Sequence, residues 1–130
     1  MKISGDKVWD FTRGVWVKLT PEEHVRQWFV DQLIDTHHVE AVRIATEYCI
    51  SVGGRRLRID IAIFAPRAMD ILAIVECKAP GVAITESTMR QAAAYNSVVG
   101  ARYIILTNGA QYMIYNTTNH EFENKLCEQL

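Results

Sequence analysis

The amino-acid sequence predicts a layered α/β fold with a mixed β-sheet, on the evidence of two kinds of apolar pattern. Five short apolar segments of strand length lie between residues 47 and 115. Two longer segments, at about residues 20–36 and 85–99, carry apolar residues at helical spacing, so the order is helix, three strands, helix, two strands. Apolar strands with helices between them bury both faces of a sheet, which produces stacked layers.

A capping motif marks the start of the first helix. Thr20 is the predicted N-cap, Pro21 occupies the first helical position and Glu23 closes a capping box. We expect the helix to run to about Thr36, and residues 8–18 before it to form a short hairpin or an extended lead-in. The apolar face of this first helix comprises Val25, Trp28, Phe29 and Leu33.

The first three predicted strands follow this helix. Residues 47–52 and 56–64 are joined across Gly53-Gly54, a pair suited to a tight turn. Residues 71–78 form a third strand whose apolar run suits a position in the middle of the sheet. Alternation along the second strand places Ile59, Ile61 and Ile63 together on one face.

The remaining elements lie in the second half of the chain. Thr85 is the predicted N-cap of a helix that runs to about Val99. Strands at 103–107 and 111–115 then flank Asn108-Gly109, a strong hairpin signal. From residue 116 onward the pattern predicts a turn and a short helix.

Composition and charge limit the class of protein. Of 130 residues, 49% are hydrophobic and 22% are charged, as in globular proteins. We expect one domain over residues 1–130, with an N-terminal extension (1–18), a core (19–115) and a C-terminal tail (116–130). The formal net charge of −1 lacks the basic excess of many nucleic-acid-binding proteins, although carboxylates that hold divalent cations can offset basic residues elsewhere.

Targeting and cysteine patterns predict a cytoplasmic protein. No apolar run approaches the roughly 20 residues that span a bilayer, and residues 1–6 are polar where a signal peptide is apolar. We therefore expect no membrane partner. Cys49, Cys77 and Cys127 are an odd number at wide spacing, which predicts reduced thiols rather than disulfides or a zinc site.

Charges interrupt two of the predicted strands, at Asp60 and at Glu76. Burying an unpaired carboxylate is costly, so two of them near the core of one sheet are expected to share a cation. Glu76 and Lys78 are two residues apart and therefore share one face of their strand. Two carboxylates suit Mg²⁺, and a nearby ammonium group orients or helps to deprotonate an attacking water, which is the chemistry of phosphodiester hydrolysis.

With these residues placed, the sequence resembles the PD-(D/E)XK nucleases, and among them the N-terminal nuclease domain of type I restriction enzyme R subunits. The resemblance covers Leu19 to about Tyr115, and its strength lies in the order and spacing of its motifs rather than in any one of them. One position departs from the pattern, since Ile59 stands where the family has a proline. The motifs are Leu19-Thr20-Pro21-Glu22-Glu23 with Val25-Arg26-Gln27, Arg58-Ile59-Asp60-Ile61, Val75-Glu76-Cys77-Lys78-Ala79-Pro80, Gln91 with Tyr95-Asn96, and Thr107-Asn108-Gly109.

The resemblance implies a restriction-endonuclease-like three-layer fold, with a mixed sheet of about five strands flanked by helices. It also implies an endonuclease that hydrolyses DNA with Mg²⁺, or Mn²⁺ as a substitute. Asp60, Glu76 and the backbone carbonyl of Cys77 would be metal ligands, and Lys78 the catalytic lysine. Gln91 and Tyr95 match a QxxxY element beside the active site, and their spacing puts them on one helical face.

The first helix of such domains usually supplies a further acidic residue, and Glu22 and Glu23 are both candidates. Helical phase places Glu22 on the apolar face toward the sheet, whereas Glu23 points away and suits the cap. We therefore favour Glu22 as an additional metal ligand.

Simpler interpretations exist for each residue. Asp60 can be an edge-strand carboxylate paired with an arginine, and Glu76 and Lys78 can be a strand-end ion pair in solvent. The functional alternative is a non-catalytic nucleic-acid-binding or assembly module. The chain has no GxxxxGK[ST] phosphate loop, so a motor or specificity protein is an expected partner, as is a second copy for cutting both strands. Arg55, Arg56 and Arg58 are a local basic cluster suited to phosphate contacts.

Overall fold

A computed structural model describes residues 1–123 and 130. Cys127 and most of the last predicted helix therefore lie outside the described residues. The strands and helices are β1 (Ile3–Ser4), β2 (Lys7–Asp10), β3 (Val15–Lys18), α1 (Pro21–Asp35), β4 (Ile44–Val52), β5 (Arg55–Phe64), β6 (Ile71–Cys77), α2 (Glu86–Val99), β7 (Tyr103–Thr107), β8 (Tyr112–Asn116) and β9 (Glu121–Glu123).

A six-stranded mixed sheet forms the middle layer, in the order β4-β5-β6-β7-β8-β9. Strands β6 and β7 pair in parallel, because α2 carries the chain back across the sheet between them, and the other neighbours are antiparallel. Helix α1 packs on one face through Val25, Phe29 and Leu33, and α2 packs on the other through Met89 and Ala92. The predicted restriction-endonuclease-like α/β fold is confirmed, with six strands rather than five.

The predicted N-cap residues cap both helices. The Thr20 hydroxyl accepts a hydrogen bond from the Glu23 backbone N–H at 3.1 Å, and Pro21 begins α1. The Thr85 hydroxyl likewise accepts from Thr88 N–H, and Gly100 ends α2 with φ of 73°. Both predicted helices are confirmed. None of the helices in the described part of the chain is long and apolar enough to cross a membrane.

One prediction for the ends of the chain is confirmed and one needs correction. Residues 8–18 form the predicted hairpin, β2–β3, to which β1 adds a third antiparallel strand. The predicted helix after residue 116 is wrong for Glu121–Glu123, which form β9 against β8. The centroids of the Phe122 and Tyr115 rings lie 5.1 Å apart across this pair, with the ring planes tilted by 55°, and this cross-strand contact favours the sheet over a helix.

Strands β4 and β5 change face at Glu47 and Asp60. The register pairs Thr46 with Ile61 and Tyr48 with Ile59, and the positions between these pairs are Glu47, with φ of 49°, and Asp60. Ile59 consequently packs in the cluster beneath α2, whereas Ile61 packs beneath α1. The prediction that Ile59 shares a face with Ile61 is wrong, because the regular pairing and alternation of β4 and β5 are interrupted between these residues, at Glu47 and Asp60.

The N-terminal sheet is joined to the main layers by Asp10, which is fully buried. Its Oδ2 atom accepts from Thr46 Oγ1 at 2.6 Å on β4, Arg13 Nε at 2.7 Å and Gln27 Nε2 at 3.0 Å on α1. Burial by itself raises the pKa of Asp10, but hydrogen bonds from Thr46, Arg13 and Thr12 outweigh it and lower the pKa to about 2.

Candidate active site

The candidate site lies where β5 and β6 part. Their register ends with the pair Ile61 and Val75. Beyond it, the Asp60 carboxylate accepts the backbone N–H of Cys77, with 2.8 Å between Oδ2 and N. The Asp60 side chain thus accepts the hydrogen bond that a backbone carbonyl would accept in a regular strand pair. This bond fixes Asp60, which is only 8% exposed, beside the end of β6 that carries Glu76.

Glu76 and Lys78 lie on one face of this strand end, as predicted. The Lys78 Nζ atom is 3.8 Å from Glu76 Oε1, and both side chains are about a quarter exposed. Cys77, which lies between Glu76 and Lys78 in the sequence, has its side chain buried on the opposite face of the sheet, in the cluster beneath α1. The Glu76–Lys78 pair therefore faces an open cleft while β6 itself stays in the core.

The cleft beside this pair has a volume of about 860 Å³. One wall is the tip of the β4–β5 hairpin with Arg55 and Arg56, and the other wall is α2 with Gln91 and Tyr95. The structure thus brings Gln91 and Tyr95 into the same cleft as Glu76 and Lys78, while their chemical roles remain predictions. Arg58 does not line the cleft, and its Nε atom lies 3.0 Å from a Glu47 oxygen.

Burial and the charges nearby raise the pKa of Glu76. Burial has the largest effect, and the carboxylates of Asp60 and Glu22 raise the pKa further, against the lowering effects of Lys78 and Arg26. The result is a pKa of about 7. A carboxylate repelled in this way is stabilised in its ionised form by any cation that enters the cleft.

Arg26 on α1 is the main cation among these carboxylates, and it is 5% exposed. Its Nη1 atom lies 2.6 Å from Glu23 Oε1, and its Nη2 atom lies 3.1 Å from Asp60 Oδ1 and 2.6 Å from Glu47 Oε1. Burial by itself lowers the pKa of Arg26, but Glu23, Asp60 and Glu47 outweigh it and raise the pKa. The sequence pattern included Arg26 in the family motif but gave it no role.

Glu47 is the site residue that sequence reasoning missed. In the sequence it only begins a predicted strand, and nothing there signals a positive φ. In the structure that backbone conformation accompanies a carboxylate held between Arg26 and Arg58. Left-handed backbone at a residue other than glycine costs about 1–3 kcal/mol and is concentrated at functional sites.

The two acids at the start of α1 have different environments. Glu23, predicted to point away, is buried, because Arg26, Gln27 and Arg13 bind its carboxylate. Its carboxylate therefore does not complete the capping box. The Glu22 side chain, predicted to face the sheet, is 51% exposed, and Oε1 lies 3.7 Å from Arg26 Nη2. The phase argument was wrong about burial because it followed apolar residues alone, whereas ion pairs bury Glu23.

The donor set fits a hard divalent cation. Asp60, Glu76 and Glu22 offer only oxygen, the ligand type that Mg²⁺ takes. Burial, and then repulsion by Asp60 and Glu22, raises the pKa of Glu76, and a bound dication would stabilise the ionised carboxylate. Among residues 1–123 and 130, no three His, Cys, Asp or Glu side chains form a cluster that could hold a metal. Asp60 pairs with Arg26, and Glu76 pairs with Lys78.

A mixed sheet between two helices, opened at the Asp60–Glu76 strand ends, defines a restriction-endonuclease-like α/β domain. Residues 21–128 match the family model of the type I restriction enzyme R protein N terminus (HSDR_N). The chain therefore belongs to this family.

Comparison with solved structures finds the same fold. The chain resembles the fragment structure of a putative HsdR subunit of a type I restriction enzyme from Vibrio vulnificus YJ016, with a TM-score of 0.65 and 21% sequence identity. The similarity covers 78% of this chain and 22% of that chain. No curated protein matches the sequence. The N-terminal sheet, β1-β2-β3, precedes the residues that the family model matches.

Proposed function

We propose that this domain is a Mg²⁺-dependent endonuclease of the PD-(D/E)XK kind, which hydrolyses DNA phosphodiester bonds as the nuclease part of a type I restriction R subunit. One observation carries the proposal. The hydrogen bond from Cys77 N–H to Asp60 Oδ2 holds Asp60 at the strand end beside Glu76 and Lys78. This places a second carboxylate next to the Glu76–Lys78 pair that lines the cleft. Two carboxylates and an ammonium group are the composition that phosphodiester hydrolysis requires.

Asp60 and Glu76 would hold the Mg²⁺ ion, with Glu22 and the backbone carbonyl of Cys77 as further ligands. When bound, Mg²⁺ supplies a Lewis acid for a phosphate oxygen, and Mn²⁺ can replace it. The bond from Cys77 fixes Asp60 in advance, so this ligand needs little reorganisation. Glu76 is less constrained, since its one ion pair among the described residues is to Lys78, at 3.8 Å.

Lys78 is the proposed catalytic cation. It lines the cleft beside Glu76, where a scissile phosphate would approach the metal ligands. Its ammonium group would orient the attacking water and stabilise the charge that develops on the phosphate oxygens. Gln91 and Tyr95, on the α2 wall, would hold the water or the phosphate through the amide and hydroxyl groups.

The cleft also suits the nucleic-acid backbone. Arg55 and Arg56, which are exposed at the hairpin tip, line the wall opposite α2. Arginines at such a rim neutralise phosphates without reading the sequence of the DNA. DNA is therefore the proposed substrate, and the proposed location of the protein is the cytoplasm. The proposed partner is a motor or specificity protein, or a second copy of the chain.

Plasmid cleavage tests this function. Purified protein is incubated with supercoiled, linear and single-stranded DNA in Mg²⁺ or Mn²⁺, beside Lys78→Met and Asp60→Asn. We expect cleavage by the wild type that EDTA abolishes and that both variants lose by at least about 100-fold, the range for removing one preorganised catalytic group. The variant Arg90→Met, which removes an exposed cation, is the matched control. Equal cleavage by Lys78→Met and wild type would refute the catalytic role.

A non-catalytic nucleic-acid-binding or assembly module is the second candidate. The specific observation in its favour is that Asp60 pairs with Arg26, and that no three His, Cys, Asp or Glu side chains among the described residues form a cluster that could hold a metal. Calorimetric titration separates the two functions. Binding of Mn²⁺ that disappears in Asp60→Asn supports the nuclease, whereas DNA binding without any metal binding supports the module.

A further inference from the structure

The outer face of the N-terminal sheet carries three aromatic rings. Trp9 and Trp16 are directly opposite each other on β2 and β3, with 5.4 Å between their ring centroids. The Phe11 ring centroid lies 6.3 Å from that of Trp9, and Phe11 is 68% exposed. Alternation along β2 puts the fully buried side chains of Val8 and Asp10 on the inner face, so the rings lie on the face turned toward solvent.

Three exposed lysines share this face with the rings. The Lys2 Nζ atom lies 5.8 Å from the ring centroid of Trp9 and 5.5 Å from that of Trp16. Lys7 and Lys18 are directly opposite each other, two residues along their strands from the tryptophan pair, which places them on the same face. Among the described residues, no acid forms an ion pair with any of these lysines. We call this surface the lysine–tryptophan face, and its residues are Lys2, Lys7, Trp9, Phe11, Trp16 and Lys18.

The charges and rings of this face indicate the chemistry of its ligand. Like charges directly opposite each other in an antiparallel pair are destabilising, so Lys7 and Lys18 favour an anion between them. Aromatic rings among cations suit a chain in which phosphates alternate with flat bases, because the phosphates pair with the lysines and the bases stack on the rings. A single strand offers such free bases, whereas the bases of a duplex are already stacked on one another.

The position of Lys2 favours a nucleic-acid strand over a membrane surface. Membrane-bound surfaces insert an apolar face that carries tryptophan and keep their cations on the opposite, polar face. Here the Lys2 ammonium lies over the two tryptophan rings, so lipid contact would bury an unpaired charge, which is costly. A base can take its place, since stacking on an exposed ring is stronger than an exposed cation–π contact, and the ammonium then pairs with a phosphate.

We propose that the lysine–tryptophan face binds single-stranded DNA, with its lysines on the phosphates and its rings against the bases. The inference goes beyond the proposed nuclease function and does not depend on it. The face is formed by residues 2–18, which precede the residues that the family model matches, and none of its residues lines the cleft.

Fluorescence anisotropy with a labelled oligothymidylate of about ten nucleotides tests the inference in EDTA, which prevents metal-dependent cleavage. All proteins are full chains that carry Arg55→Ala and Arg56→Ala, so that the cleft contributes little binding. Trp16→Leu keeps an apolar side chain and removes one ring, so it should weaken binding by at least about 5-fold, the low end for the loss of one stacked base. Binding to a duplex of the same length should not change. Phe122→Leu, which removes another exposed ring, is the matched control and should bind as the parent does.

The salt dependence of binding tests the lysines separately from the rings. Lys7→Gln with Lys18→Gln should lower the slope of log affinity against log salt by about 0.7 for each lysine, the value for phosphates of a single strand. The matched control removes two exposed arginines outside the face, Arg67→Gln with Arg90→Gln, and should leave the slope unchanged. An equal slope in the lysine variant and the parent would exclude the lysines from phosphate contact and overturn the proposal.

The remaining outcomes decide whether the rings bind bases. Equal affinity of Trp16→Leu and its parent for the single strand overturns the proposal, and so does an equal loss for single strand and duplex. Vesicles that contain phosphatidylserine form the other arm, since binding to vesicles without binding to the oligonucleotide would assign the face to a membrane surface instead. Circular dichroism establishes that Trp16→Leu is folded, and if it is not, the more exposed Phe11→Leu replaces it with the same expected loss. Loss of Mg²⁺-dependent cleavage in Lys78→Met is a separate result, so either proposal can fail alone.

Discussion

Asp10 provides the sharpest test of how the N-terminal sheet supports the rest of the domain. The substitution Asp10→Asn keeps the size of the side chain and removes its charge. In the structure Asp10 Oδ1 accepts from Thr12 N–H, Thr12 Oγ1 and Arg13 N–H, and Oδ2 accepts from Arg13 Nε, Gln27 Nε2 and Thr46 Oγ1. An asparagine must place an NH₂ group against one of these two sets of donors.

The structure sets the size of the expected loss. Lowering the pKa of Asp10 from 3.8 to about 2 corresponds to about 2 kcal/mol of folded-state stability at neutral pH, at about 1.4 kcal/mol per pKa unit. Each buried donor left without an acceptor costs about 1–3 kcal/mol more. Because Asp10 is fully buried, solvent does not screen this contribution. We therefore expect Asp10→Asn to lower the free energy of unfolding by at least about 3 kcal/mol.

Urea denaturation at several pH values measures both the loss and its origin. The folded-state pKa of Asp10 is lower than the unfolded value, so its stabilisation is present above pH 3.8 and is lost as the pH falls toward 2. The difference between wild type and Asp10→Asn should therefore shrink below about pH 4. The exposed residue Asp70 supplies the control, Asp70→Asn. If the two variants are equally stable at pH 7, the proposed role of the buried carboxylate is wrong.

Three further predictions concern Glu76, the arginines of the cleft and the turn between β7 and β8. Burial, Asp60 and Glu22 raise the pKa of Glu76 from 4.5 to about 7, so the metal-free protein should lose stability as the pH rises from 5 to 8. Urea denaturation in EDTA should show this loss in the wild type and not in Glu76→Gln, and an equal loss in both would contradict the assignment. Replacing Arg55 and Arg56 by alanine should reduce the slope of log affinity against log salt for DNA by about 2, measured by fluorescence anisotropy in EDTA. An unchanged slope would exclude both arginines from phosphate contact. Gly109 has φ of 92°, so Gly109→Ala should lower stability by about 1–2 kcal/mol in thermal unfolding, and a stabilised variant would refute the strain argument.

Local chemistry explains why much of the fold was predictable. Thr20 and Thr85 cap their helices through residues three positions away, and Gly53-Gly54 and Asn108-Gly109 turn the chain within a few residues. These interactions depend on neighbouring residues, so they are legible in sequence. The spacing of Glu76 and Lys78 is equally local, since alternation along one strand puts both on one face.

The departures from prediction arise where distant segments meet. Glu121–Glu123 joined the sheet because β8 offered an edge with an aromatic partner, a contact that no pattern within the tail reveals. Ile59 changed face where the pairing of β4 with β5 is interrupted, at Glu47 and Asp60. Glu23 was buried by ion pairs, whereas helical phase considers apolar burial alone.

The sequence by itself determined the class of domain, the helix and strand order, and the residues Asp60, Glu76 and Lys78 as the candidate centre. Only the tertiary structure decided how that centre is charged. Arg26 and Asp60 are 34 residues apart, and Asp10 and Thr46 are 36 apart, yet both pairs are in direct contact. Periodicity and spacing report on neighbours within a few residues, whereas the charge balance of a buried site depends on every element that packs around it. The roles of Arg26 and Glu47 could therefore emerge only from the folded chain.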